Sequence, residues 1–386
     1  TSTGDGSDTF VNFENYTLSG NADTVNLNAV FGSTINGGAG SDTASYSSVG
    51  SGISLTVTVN SGNTSATVFD GVKTDTLKNI EKIIGGDGND TFIVSNVSGI
   101  NTLDGDGGTN TLQLSGSLDL SSVTLLNFNN ILIANGDTLT LNAVNLDGKT
   151  MSIELQGSGS LVIVGTTTAT DFDFDNITIN NTGASQTGTT TLQLDATVNL
   201  VGHDINGTNN IIDKILVNSG TVTLSESQVT SGTVVVNGAG STVVEVSSSS
   251  SANYSSILQL TTPANETVKF TGNSTFTGDF GNSNVVVNSG VTLTTTSSKT
   301  SGKLITGAGN VTLTDSSVSV TNINNVSAVT GVVTAVVTEQ DATTLKTLST
   351  NNSDMITVTM AAASTSAANL NAIDLLTGTS INATAI

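Results

Sequence analysis

Residues 85–93 read GGDGNDTFI. Two glycines open the stretch, glycine then alternates with Asp87, Asn89 and Asp90, and the chain runs on into an apolar strand. A backbone bent this tightly needs residues free to take positive φ. Its inward-turned carbonyls, together with two carboxylates, make a cage of oxygens that suits a hard divalent cation.

The pattern recurs. Residues 3–11 (TGDGSDTFV) repeat it with Thr3 in first place and carboxylates at Asp5 and Asp8, and residues 19–25 keep Gly20 and Asp23 in a copy one residue short. Residues 37–45 (GGAGSDTAS) carry Gly37, Ala39 and Asp42, with Ala44 where a large apolar residue belongs. The starts at 3, 19 and 37 lie about 18 apart, which is two nonapeptides and one coil of a parallel β-roll. A looser copy at 103–114 (LDGDGGTNTLQL) has Asn110 in place of the aspartate, with Asp104 and Asp106 nearby. First-position residues such as Thr3 and Gly85 are expected to offer carbonyl oxygens, whatever their side chains. The first three loops are expected to stack along one edge. Without metal, Asp5, Asp8, Asp23 and Asp42 would repel one another, so folding and calcium binding should be linked. Gly-Asp and Asn-Gly pairs also make ordinary turns, but their recurrence in register favours calcium.

The repeat G-G-x-G-x-D-x-U-x, U being a large apolar residue, resembles that of the RTX (repeats in toxin, hemolysin-type) calcium-binding proteins secreted by bacteria. Residues 45–84 hold SLTVTV at 54–59 and TDTLKNIEKI at 74–83. They resemble the spacer that large RTX adhesins place between motif groups, with Asp75 and the triplet Asn79, Ile80, Glu81 in typical places. The resemblance implies cations held between loops of successive turns by main-chain carbonyls and aspartates from both.

Composition agrees with an exported structural protein. Of 386 residues only 10% are charged, while 41 are Gly, one is Pro and none is Cys or Trp. Hydroxyls and amides carry the polar load and suit sheet faces, and 36% hydrophobic residues can bury a core. The net charge is −22, and all nine basic residues are Lys. Without arginine forks, nucleic acid and anionic membrane are poor partners. An acidic excess suits surroundings rich in divalent cations. The lack of cysteine rules out disulfides and thiolate metal sites, and no apolar run is long enough to span a bilayer. Thr1 is not an initiator and no signal peptide is visible, so the chain is expected to be a processed or trimmed piece of something longer.

Past residue 115 a different repeat takes over. Residues 136–164, 220–246 and 290–313 each show a Gly-x-Thr-Leu-Thr-like strand, a polar link, a second apolar run and a Gly-x-Gly turn into a third. Three units roughly 70 to 85 residues apart favour stacked β-coils. An Ig-like sandwich is the competing reading, but it normally shows Trp and more Pro and Tyr. From about residue 332 an offset of 25 relates Asp341 to Ser366, Leu348 to Ile373 and Ile356 to Ile381. Each copy reads as a short helix, capped by Asp341 or Ser366, followed by a strand. Similar helix-strand units occur in bacterial surface-layer proteins and giant adhesins.

Isolated candidates carry less. Asp171-Phe-Asp-Phe-Asp175 alternates with period two and reads as a half-buried strand with an acidic face, or as a further cation site or lattice contact. His203 is the only histidine and has no nucleophile elbow or zinc-spaced partner. Carboxylates are plentiful enough for a glycosidase pair, but aromatics make up only 4%.

The expected architecture is all-β: a calcium-binding parallel β-roll over 1–115, a β-solenoid of three degenerate repeats over 116–330, and two helix-strand repeats over 331–386. The candidate calcium ligands are Thr3, Asp5, Asp8, Asp23, Gly37, Ala39, Asp42, Gly85, Asp87, Asp90, Asp104, Asp106 and Asn110. The expected role is a structural subunit of a bacterial surface layer or extracellular lattice or filament, stiffened by calcium. Its partners would be copies of itself and cell-surface polysaccharide, not nucleic acid or a membrane interior. A module of a secreted RTX adhesin is the alternative, and a β-helical enzyme acting on polysaccharide a third reading.

Overall fold

The computed structural model describes residues 14–60, 66–165, 172–183, 186–205, 211–231, 234–337, 341–350, 353–360, 366–377 and 382–383. The chain is a β-solenoid of about 14 turns, mostly strand and with little helix. Two compact units are present: Thr1–Gln193 with His203–Lys214, and Leu194–Gly202 with Ile215–Ile386.

In the first unit, short strands alternate between half-exposed Thr or Asn and buried apolar residues. In Thr91–Val94, for example, Phe92 and Val94 point inward. Because side chains alternate with period two, each strand gives one row to the core. Parallel pairing then stacks like on like. Tyr16 lies opposite Ile35 and Val25 opposite Ala44, each 19 positions on. Ile83 lies opposite Leu103 and Phe92 opposite Leu112, each 20 positions on. The coil is therefore one or two residues longer than the 18 expected from two nonapeptides, because only one of its two corners has the tight motif length.

The spacer at 45–84 is a folded excursion within the first sheet. Strand Ala66–Phe69 runs antiparallel between Thr56–Val59 and Thr74–Lys78. Thr74–Lys78 then pairs parallel with Thr34–Asn36, and Thr56–Val59 with Thr91–Val94. In the second sheet no strand is inserted, and Lys82–Ile84 sits directly between Thr43–Ser45 and Thr102–Asp104. Pairing continues past residue 115, with Leu112 opposite Ile131, Ile131 opposite Ile153 and Ile153 opposite Ile179.

Within Asp171–Asp175 the structure departs from the expected strand. Phe172 and Phe174 are fully buried with ring centroids 6.1 Å apart, and Asp173 and Asp175 are exposed, so the alternation holds. The backbone, however, bonds to loops: Asp173 N donates to Asp147 Oδ1 and Phe174 N to the Asp204 carbonyl. With no ladder partner the segment is irregular. Asp171 lies outside the described residues.

In the second unit one sheet stacks Thr221–Ser225, Ser241–Val246, Glu266–Phe270, Asn284–Val287 and Ile305–Gly307. Another stacks Thr292–Thr295, Asn310–Leu313, Val333–Val337 and Met355–Met360. Val268 faces Val285 and Val285 faces Ile305, offsets of 17 and 20. The structural repeat is thus a single coil, and the longer units visible in the sequence each hold several. Phe270, Phe276, Phe280 and Tyr254 fill the interior, Phe276 stacking on Phe280 at 4.1 Å.

Both terminal helices are capped as expected. Asp341 accepts from Thr343 N and Thr344 N ahead of Ala342–Leu345, and Ser366 accepts from Asn369 N ahead of Ala367–Asp374. The strands after them pair Thr359 with Asn382, an offset of 23 and not the 25 that relates the caps. The second helix is four residues longer than the first. Ser366→Ala should cost about 1 kcal/mol, the usual worth of an N-cap, and lower Tm by about 2–4 °C in a thermal melt.

Candidate cation-binding corners

The expected ligands fall in corners on two edges of the first unit. Turns 18–23, 37–42 and 79–81 lead from the first sheet to the second, whereas 85–90, 105–110 and 127–129 lead from the second back to the first. The copies at 19–25 and 37–45 therefore share an edge, and those at 85–93 and 103–114 share the opposite one. Thr3, Asp5 and Asp8 lie outside the described residues.

At the first edge the last residue of each turn reaches across to the coil before it. Asp42 Oδ1 accepts the backbone N–H of Asp23 at 2.8 Å, and Glu81 Oε2 accepts that of Asp42 at 2.6 Å. Asp23 is held in turn by the Ser19 N–H and hydroxyl, at 2.8 and 2.7 Å. Asp42 Oδ2 is buried and has no partner. Burial pushes the Asp42 carboxyl up, the Glu81 and Asp23 charges add to the rise, and the hydrogen bond from Asp23 N opposes it. Gly37 is required by space alone. A Cβ there would sit 2.1 Å from the Asn79 carbonyl oxygen and 2.5 Å from Asp42 Oδ2. Ala39 is exposed at the bend.

The second edge is built differently. Asp90 Oδ1 accepts from Leu55 N and Oδ2 from Gly86 N, both at 2.7 Å, so each carboxylate oxygen is taken by the main chain. Asp90 N donates to Asn110 Oδ1, and Asn110 N to Asn129 Oδ1. The Asn110 amide nitrogen donates to the Gly107 and Asn127 carbonyls at 2.9 and 3.0 Å, the kind of oxygens a cation would compete for. Gly85 faces Asp90 Oδ2, and a Cβ at Gly88 would sit 2.0 Å from the Ile53 carbonyl oxygen. The neighbour on that side is thus the 46–55 turn and not another aspartate motif. Asp87, Asp104 and Asp106 form a second acidic group here. Burial raises the Asp106 carboxyl, and the Asp104 and Asp87 charges raise it further. Asp104 Oδ1 also accepts from Asp106 N and Asn127 Nδ2.

The donor sets therefore fit a hard cation unequally. Asp42, with one buried oxygen unengaged, suits one; Asp87, Asp104 and Asp106 feel one another's charge but do not gather as a site. Asp90 and Asn110, the first with no oxygen to spare and the second with a donor turned inward, suit a purely structural hydrogen-bond ladder. Among the described residues no three Asp, Glu or His side chains gather as a metal centre. Carbonyls would have to supply most of any ligand shell. The sequence reading missed Glu81 and Asn129 as ladder members; both are the residue just before a strand, a position that could have found them.

Elsewhere, His203 is half-buried in a turn. Asp175 shares a hydrogen bond with exposed Asp204, which raises its carboxyl. A cleft of ≈ 410 Å³ in the second unit is lined by residues including Val229, Thr230, Val235, Asn253, Ser256 and Ile257, with no ionisable side chain among its lining residues. No described helix is long and apolar enough to cross a membrane. Compared with protein-family models, curated proteins and solved structures, the chain matches none; what places it is its own architecture, a β-solenoid of stacked parallel coils.

Proposed function

We propose that this chain is a structural subunit of a bacterial surface layer or extracellular lattice, stiffened by calcium at its corners. The observation that carries this reading is the cross-coil ladder, in which Asp42 and Glu81, and separately Asp90, Asn110 and Asn129, each fix the backbone of the adjoining coil. Such a ladder couples the coils mechanically. A divalent ion at Asp42 would offset the Glu81 and Asp23 charges that add to the effect of burial on its carboxyl.

The adhesin-module reading has one feature in its favour. Phe31, Ile53, Phe69 and Val72 are exposed, and all lie toward the second-to-first-sheet edge around the excursion, with Phe31 N bonded to Asp75 and Phe69 paired with Thr74. Apolar residues grouped on a surface mark contact sites.

Calcium added to chelator-treated protein should stabilise it by roughly 2 kcal/mol near saturation, a rise in Tm of about 5 °C. Asp42→Asn should lose part of that rise. An unchanged melting curve would remove calcium from the proposal. Electron microscopy separates the two roles: ordered arrays that form with calcium and dissolve with chelator support a lattice subunit, and monomers under both conditions support the adhesin module.

A further inference from the structure

Two strands that follow one another along the chain, Leu258–Leu260 and Glu266–Phe270, meet at a corner where the coils of the second unit change length. Thr242 lies opposite Glu266, an advance of 24 positions, but Thr267 lies opposite Asn284, an advance of 17. The later coil is too short to add a strand to every face. The seven-stranded sheet therefore ends on Leu258–Leu260, which is paired with Val235–Gly238 on one side only.

An end strand leaves every second backbone N–H without a ladder partner. Leu258 N turns to the Tyr254 carbonyl. Leu260 is only 6% exposed, so its N–H needs an acceptor from the chain, and Glu266 Oε1 takes that hydrogen bond at 2.9 Å. Glu266 shares the inward row of its strand with Val268 and Phe270 and is 2% exposed. Its Oε2 has no hydrogen-bond partner.

A carboxyl shut among apolar side chains with a single donor avoids the cost of a buried charge by keeping its proton. No cation stands by to change that balance. Lys269 of the same strand lies on the outer face, paired with Glu245 of the preceding coil at 2.8 Å. Strands Leu258–Leu260 and Asn284–Val287 and the turn 261–265 carry no ionisable side chain. In the loop 277–283, Asp279 is exposed and accepts from Gly281 N, and Lys303 of the next coil donates to the Gly281 carbonyl. Burial accordingly raises the Glu266 carboxyl, with the Leu260 N–H pulling the other way.

We propose that Glu266 is carried in the folded chain as the neutral acid and makes the 258–266 corner a proton-held lock, closed while the acid keeps its proton and loosened when a rise in pH removes it. With the proton on Oε2, Oε1 remains an acceptor for Leu260 N. Once ionised, the group gains by reaching water, and its departure strips the Leu260 N–H of its partner and bares the end strand. The lock is independent of the calcium corners, which belong to the first unit. In the unfolded chain Glu266 ionises in the ordinary carboxylate range. Above that range unfolding releases a proton that the folded chain holds, so the stability it contributes falls as pH rises, until the folded group ionises too.

The test compares the full chain with Glu266→Gln, the isostere of the neutral acid, by thermal unfolding in chelator from about pH 5 to about pH 8. The wild-type Tm should fall relative to that of the variant by about 3–5 °C per pH unit, levelling off where the folded group ionises. A difference in Tm that stays constant across the range overturns the proposal. A second measurement needs no variant and decides the matter if Glu266→Gln does not fold: an NMR titration of the folded wild type, isotope-labelled at its glutamate carboxyls so that the aspartates are silent. One of the seven glutamates still protonated where the others have ionised supports the lock, and all seven ionising together overturns it. Divalent ions are absent throughout, so failure here leaves the calcium reading standing.

Discussion

Asp75→Ala should destabilise the protein by roughly 4 kcal/mol and lower Tm by about 10 °C. Asp75 comes from the strand TDTLK, whose alternation turns it inward, and it is fully buried. Its Oδ1 accepts from Phe31 N at 3.0 Å and Ser33 N at 2.7 Å, and its Oδ2 accepts from Tyr46 OH at 3.0 Å. One carboxylate thereby ties the excursion strand to the 27–33 corner and to the residue after Thr43–Ser45. Removing it leaves three donors to be satisfied, of which Ser33 N and Tyr46 OH are shut off from water. Burial pushes the Tyr46 hydroxyl far above the ordinary tyrosine range, with the Asp75 charge and hydrogen bond adding to it, so the phenol stays a donor at any working pH. Asp75→Asn keeps an acceptor and should cost less. Tyr46→Phe removes one donor with its partner left in place and should cost about 1–1.5 kcal/mol. Urea denaturation of the singles and the double should show a coupling energy above about 1 kcal/mol, the mark of a shared network. A loss below about 1 kcal/mol for Asp75→Ala would show that the corner rearranges to satisfy itself.

Asp75 also shows where sequence reading stops. Its alternation says that it faces inward, but its partners at 31, 33 and 46 are brought to it only because Thr34 stacks on Thr76 across an excursion of 42 residues. Period two reports which face a residue takes and not which coil lies next to it. For the same reason the antiparallel strand Ala66–Phe69 was invisible as such, since parallel and antiparallel strands share that period. Local chemistry was easier to read. The caps at Asp341 and Ser366 depend on neighbours two or three residues away, and both stand where expected. The motif aspartates fall between these cases. The glycine pattern gave the turn, but whether the carboxylate has an oxygen left for a cation depends on the adjoining coil: Leu55 N and Gly86 N occupy both oxygens of Asp90, whereas Asp42 keeps one.

Gly307→Ala should cost roughly 3–4 kcal/mol, and the reason is one corner used twice in the second unit. At residues 307–309 and 238–240 the chain reads Gly-Ala-Gly. In each, the first glycine lies over a valine carbonyl of the preceding coil, and the N–H of the second donates to that carbonyl: Gly309 N to Val287 O and Gly240 N to Val217 O, both at 2.9 Å. Gly307 has φ +110°, and a Cβ on it would sit 2.2 Å from the Val287 carbonyl oxygen; Gly238 has φ +119° and would meet the Val217 oxygen at 2.1 Å. Neither neighbour is a side chain that can swing away. A methyl group must therefore push the two coils apart, stretch the adjacent Gly309 hydrogen bond and hold an unfavourable φ at the same time. Gly290 separates these effects, because it has φ +77° with nothing within 4 Å of its would-be Cβ. Gly290→Ala should cost only the dihedral share, about 1–2 kcal/mol. Chemical denaturation of the two variants side by side gives the contact share as their difference. Equal losses would mean that the coils can separate freely at this corner, and the close approach of Gly307 to Val287 would then hold nothing in place.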